Sequence, residues 1–148
     1  MASYFSSSFD ANKLSELLGV PVVEIEANSD TGKEELLKTV ELAAQNPVNT
    51  TERLVYNNEL KEHIAELQAV IEEDKNLLDV PSSWIAIKLL ENDEIVEEKI
   101  ERSSKRNNIQ AETKKVKDHL EGIFGEGSEE VIANARYAFI DGLLKESL

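Results

Sequence analysis

This chain of 148 residues has 30 acidic against 16 basic side chains and a net charge of −14; 41% of it is hydrophobic, 31% charged and only 5% aromatic. A surface that acidic repels phosphate backbones and anionic lipid heads, which excludes direct nucleic-acid binding and argues against docking on a membrane surface. It has no cysteine, hence no disulfide, Cys-ligated zinc or thiol chemistry, and its few glycines and prolines favour long solvated helices over a β-sandwich.

Residues 1–10, MASYFSSSFD, have neither a charged leader nor an apolar stretch, so they read as a disordered lead and not a signal peptide. Asp10 is placed to cap a helix over Ala11–Leu18, which Gly19 stops. Val20-Pro21-Val22-Val23-Glu24-Ile25 follows, β-branched and mostly apolar, the pattern of a strand covered on both faces. Ser29 or Asp30 caps the next helix, which runs to about Ala44 and ends at Asn46-Pro47, because proline cannot continue the ladder. Helix, strand, loop and helix in this order form the closing βα unit of an α/β nucleotide-binding domain. A single strand cannot satisfy its own backbone groups. No later run has comparable strand character, and Leu54-Val55-Tyr56 is too short to make a sheet. The strand must therefore pair with a segment outside this chain, pair with another copy, or lie unpaired.

The polar stretch from Asn46 to Thr51 reads as a linker. Beyond it the pattern is helical. Asn57 or Asn58 caps a helix to about Leu78, with Leu60, Ile64, Leu67 and Ile71 in one stripe. Pro81-Ser82-Ser83 opens another, whose run from Trp84 to Leu90 is apolar almost all round and is expected to be the most buried. Asn92-Asp93 breaks or re-caps the chain before an acidic helix, Glu94 to Arg102, with Ile95, Val96 and Ile100 inward. A polar loop, Ser103 to Asn108, precedes a helix from Ile109 to Phe124 with Val116, Leu120 and Ile123 on one face. Ser128 starts the last helix, with Ala135, Phe139, Ile140, Leu143 and Leu144 toward the core. No apolar run reaches the length of a membrane span. The expected fold is mainly α: a bundle of about five helices preceded by a helix–strand–helix unit.

Little catalytic chemistry is visible. Glu59, His63 and Glu66 share one helical face, but a di-metal bundle needs Glu-x-x-His on two helices, and the residue three before His119 is Val116. The prediction is a solvated acidic face with an exposed histidine and no metal site. Gly32-Lys33 lacks the spacing of a phosphate loop, and Glu34 follows it. No nucleophile–histidine–acid arrangement is evident, so no catalytic residue is assigned.

Three segments carry a resemblance. Lys13 to Val23 (KLSELLGVPVV) resembles the approach to the last guanine-recognition loop of the ferrous iron transport protein B (FeoB) family. Trp84 to Asp93 (WIAIKLLEND) is similar to that family's "RWxAxKLLExD" helix, with Ser83 in place of the arginine. Ala135 to Ile140 (ARYAFI) looks like its "ARYxxI" run before the membrane domain.

The resemblance implies a C-terminal remnant of a GTPase domain over residues 11–47, joined to a helical domain over 48–148 that resembles a guanine-nucleotide dissociation inhibitor. It implies no complete nucleotide site and no enzyme activity in this chain alone, with GTP and Mg2+ belonging to the full-length family. Ala27 and Asn28 would stand in the remnant guanine loop, where Glu26 replaces the family's serine and Asp30 its first glycine. The implied partners are the GTPase and membrane domains of the same full-length protein, on the cytoplasmic side of the membrane; a homo-oligomer stays open. Trp84, Glu91, Asp93, Arg136 and Tyr137 are the candidate contacts, against core packing for the aromatics and surface ion pairing for the charges. The competing reading is a stand-alone helical protein-interaction module.

Overall fold

The computed structural model describes residues 10–46 and 56–147. The expected disordered lead, the linker after Asn46 and Leu54-Val55 of the short strand candidate lie outside the described residues. The chain divides into two compact units. Among described residues the first comprises 10–46 and 138–147, the second 56–137.

The first unit opens with α1 (Ala11–Leu18). The Asp10 carboxylate accepts from the Lys13 N–H at 3.0 Å, and Gly19 closes the helix at φ +64°. The expected strand does not form. Residues 21–26 hold no regular secondary structure, because no described segment offers them a ladder. The Glu26 N–H instead reaches the Thr31 carbonyl at 3.3 Å. α2 (Lys33–Gln45) begins after Gly32, later than a cap at Ser29 or Asp30 predicts, since 29–32 are used in turns. Gly32 sits at φ +81°, and a Cβ there would collide with the Glu24 carbonyl oxygen. Neither α1 nor α2 contains a buried residue, and Leu37 and Leu42 are 63% and 61% exposed.

The second unit is a packed bundle. In α3 (Asn58–Ile71) the stripe Leu60, Ile64, Leu67 and Ile71 is buried throughout. This helix packs mainly on α4 (Ser82–Leu90) and α6 (Arg106–Phe124), while α5 (Glu94–Glu101) closes against both of those. Ile85, Ala86, Leu89, Leu90, Val96, Ile100, Ile109, Val116 and Leu120 complete an almost purely aliphatic core. Ile95, expected inward, is 80% exposed; the four-residue step from Val96 to Ile100 already fills the inner stripe of this short helix.

α3 ends at Ile71, well before Leu78, and a 3₁₀ turn occupies Lys75–Leu77. The cause is Asp74. Its buried carboxylate accepts from the Asn76 N–H at 3.1 Å, the Ser103 hydroxyl at 2.6 Å and the Ser104 N–H at 3.2 Å. These bonds tie the end of α3 to the α5–α6 corner, and α6 starts at Arg106, three residues earlier than predicted.

α7 (Ser128–Ser147) contributes its residues 128–137 to the second unit and the rest to the first. Val131 and Ile132 are buried; Ile140 and Leu144, expected in the core, are well exposed.

Candidate functional site

The corner where α4 gives way to α5 collects the three charged candidates, Glu91, Asp93 and Arg136. The Asp93 side chain caps α5, accepting from the Val96 N–H at 3.2 Å. Asn92, just before it, adopts φ +57°, a left-handed conformation that asparagine tolerates better than most residues. Its side chain accepts from Lys117 Nζ at 2.7 Å and donates to Glu129 at 3.3 Å. From α7, the buried Ser128 hydroxyl donates to the Leu90 carbonyl at 2.6 Å, satisfying a carbonyl that the end of α4 leaves free.

Glu91, Asp93 and Arg136 meet here. Arg136 pairs with the Glu91 carboxylate, while Lys88 Nζ lies 3.0 Å from Glu91 and 3.5 Å from Asp93. The Glu91 hydrogen bond is the main reason the Lys88 pKa is raised, with Asp93 adding to it. Nearby, burial raises the pKa of Tyr56, and the positive charge of Arg136 opposes that shift. Burial lowers the pKa of Lys117, partly offset by Glu97. Glu91 and Arg136 thus satisfy each other, and Lys88 bridges Glu91 to Asp93.

The aromatic candidates behave differently. Trp84 is 43% exposed and Tyr137 68% exposed, so neither is packed into the core. Ala27 and Asn28 lie exposed in a turn whose neighbours are internally bonded: the Ser29 hydroxyl donates to the Glu26 carboxylate at 2.8 Å, and Lys33 lies 3.3 Å from Asp30. This turn offers at most a rim to a base, flanked by two carboxylates.

Sequence reasoning missed two things. One is Asp74, for which the Asp-x-Asn spacing to Asn76 was an available turn signal. The other is the meeting of the two histidines. His63, predicted exposed, keeps only 12% of its side-chain accessibility, and its ring stands edge-on to that of His119 with centroids 4.7 Å apart.

A model of the FeoB cytosolic helical domain family matches residues 56–148. The curated Fe(2+) transporter FeoB of Methanocaldococcus jannaschii is 31% identical over 125 residues, covering 84% of this chain and 18% of that protein. Among solved structures, a mutant NFeoB of S. thermophilus bound to mGDP matches with a TM-score of 0.80 and 27% identity over 95% of this chain and 52% of that one. The mGMPPNP-bound NFeoB of S. thermophilus matches with a TM-score of 0.71 and 26% identity over 94% and 50%. The chain therefore spans about half the length of these NFeoB chains.

Proposed function

This chain belongs to the family of FeoB cytosolic helical domains, and from that premise we propose that it is the regulatory and coupling segment of a GTP-dependent ferrous iron transporter, on the cytoplasmic side of the membrane. In this reading residues 11–47 complete a GTPase domain, and residues 48–148 form the helical domain between it and the membrane domain. GTP and Mg2+ are held by the GTPase domain, to which this chain contributes only the rim at Ala27 and Asn28.

The observation that carries the reading is the unmatched apolar surface of the first unit. Ile25, Leu37, Val40 and Leu42 are exposed beside a segment that has no ladder partner among the described residues. The rest of a GTPase sheet would cover those side chains and pair that backbone. The second unit, by contrast, closes an aliphatic core of its own. A self-sufficient bundle that touches a GTPase differently in its GDP and GTP forms shifts the balance between them by the difference in contact free energy. Exposed Trp84 and Tyr137 are the side chains available for that contact.

Fluorescent-nucleotide titration tests the first half of this reading: the 148-residue chain alone should show no saturable GTP binding at micromolar concentration. With the chain joined to its GTPase domain, Trp84→Ala or Tyr137→Ala should change the GDP release rate about fivefold, a coupling near 1 kcal/mol, while the helical melt is kept. Micromolar GTP binding by the isolated chain, or release rates unmoved by both variants, would sink the proposal.

A further inference from the structure

We propose that Glu59, His63 and His119 form a three-ligand site for a divalent first-row transition ion where α3 faces α6. The inference is independent of the coupling role.

The donors are two imidazoles and one carboxylate, a set that suits zinc, cobalt or ferrous iron and not the oxygen-seeking calcium or magnesium. One chosen atom from each residue lies within 4.8 Å of the other two. Glu59 Oε1 is 3.6 Å from His63 Nε2 and 3.4 Å from His119 Nε2. A tetrahedral ion with bonds near 2.0–2.1 Å sets its ligands about 3.4 Å apart. Two edges of the triangle are therefore already at coordination spacing. The third edge, within 4.8 Å, closes by a modest rotation of the half-exposed His119 side chain.

The protonation pattern points the same way. His63 Nδ1 lies 3.0 Å from Glu66 Oε2. A carboxylate only accepts, so Nδ1 donates to Glu66, and in the neutral ring Nε2 is then a lone pair. That Nε2 is buried and has no hydrogen-bond partner. It faces the Glu59 oxygen at 3.6 Å, so in the neutral ring acceptor opposes acceptor and the buried Nε2 goes unsatisfied until a cation lies between them. Glu66 behind His63 is also the outer carboxylate that characteristically orients a metal-bound imidazole.

The scaffold is rigid where precision matters. Glu59 and His63 are one turn apart on α3, and His119 adjoins Leu120 on α6. The two helices are locked by buried Leu60, Ile64, Val116 and Leu120. Glu59 and His119 remain partly exposed, which leaves an entry path and room for water as a fourth ligand.

The test is titration of the full chain with Co(II) and Zn(II), with Mg(II) as the hard-cation probe. The expected result is one equivalent of Co(II) with the visible absorption of a tetrahedral site, displaced by Zn(II), and a higher melting temperature in Zn(II). His119→Ala and Glu59→Gln, both at partly exposed positions, should abolish the Co(II) band while the metal-free chain keeps its cooperative melt, with Glu59→Gln, whose amide can donate to His63 Nε2, no less stable than the parent. Glu66→Gln removes no ligand, yet should weaken binding about tenfold, the low end of the effect of losing an outer-shell partner. No Co(II) band, a band that survives His119→Ala, or equal affinity for Mg(II) would each overturn the site; the first would leave a shared proton as the cation between these groups.

Discussion

The two units of this chain solve the burial problem to different degrees. From Tyr56 to Tyr137, an aliphatic stripe on each helix finds another stripe, and eleven large side chains become essentially inaccessible, among them Leu60, Leu67, Ile85 and Ile109. In the first unit comparable residues, Leu37, Val40 and Leu42, stay in water, and neither α1 nor α2 buries a single side chain. Both units have well-formed helices, some with side-chain caps (Asp10 in the first unit, Asn57 and Asp93 in the second) and some without. Local helix formation therefore does not decide which part stands alone; the availability of a second apolar face does.

The sharpest way to break that contrast is a matched pair of truncations. Leu67→Ala removes a fully buried side chain of α3 and should cost about 2–5 kcal/mol in urea unfolding, the range for cavities left in packed cores. A smaller effect belongs to Gly32→Ala, which strains a left-handed residue against the Glu24 carbonyl. It should cost about 1–3 kcal/mol, read as faster amide exchange over residues 20–32 with exchange in α3 and α4 unchanged. Acid should also discriminate the units. The Ser103 hydroxyl, then the Asn76 N–H, hold the Asp74 pKa below its usual value. An unfolded aspartate titrates near 3.9, so as pH falls the unfolded chain takes up the proton first. The stability that Asp74 provides is complete above that value and drains as pH drops through it toward the lower folded pKa. Melts of the second unit between pH 5 and 3 should show this slope, and Asp74→Asn should flatten it. The smallest effect completes the pair: Leu42→Ala, on an exposed face of α2, should change stability by no more than about 0.5 kcal/mol. A loss there as large as at Leu67 would mean that α2 is packed after all.

The bundle was legible in the sequence where its information is local. The Leu60–Ile64–Leu67–Ile71 spacing, the Asp10, Asn57 and Asp93 caps and the stop at Gly19 all act within one or two helical turns, and all appear in the structure. The misreadings fall where a residue answers to something distant. Asp74 ends α3 early because its acceptors are filled by Ser103 and Ser104, about thirty positions onward. Val20–Ile25 has every local mark of a strand, yet a strand is a relation between two segments and only one is present among the described residues. The candidate site divides the same way. Glu91, Asp93 and Arg136 are joined, with Glu91 and Arg136 far apart in the chain, while Trp84 and Tyr137 keep their outer faces free. The histidine pair was out of reach, since it depends on the register between α3 and α6, which no periodicity within either helix encodes.

Asn92 carries a consequence for how this corner can drift over time. Its left-handed backbone disfavours branched and bulky replacements, and its amide is gripped from both ends by Lys117 and Glu129. Glycine would relieve the dihedral but release both grips; aspartate would keep the shape and the lysine but repel the glutamate. Few of the twenty amino acids satisfy both demands, so the position should read in a saturation library as a narrow gate, with asparagine favoured, glycine tolerated and valine or isoleucine purged.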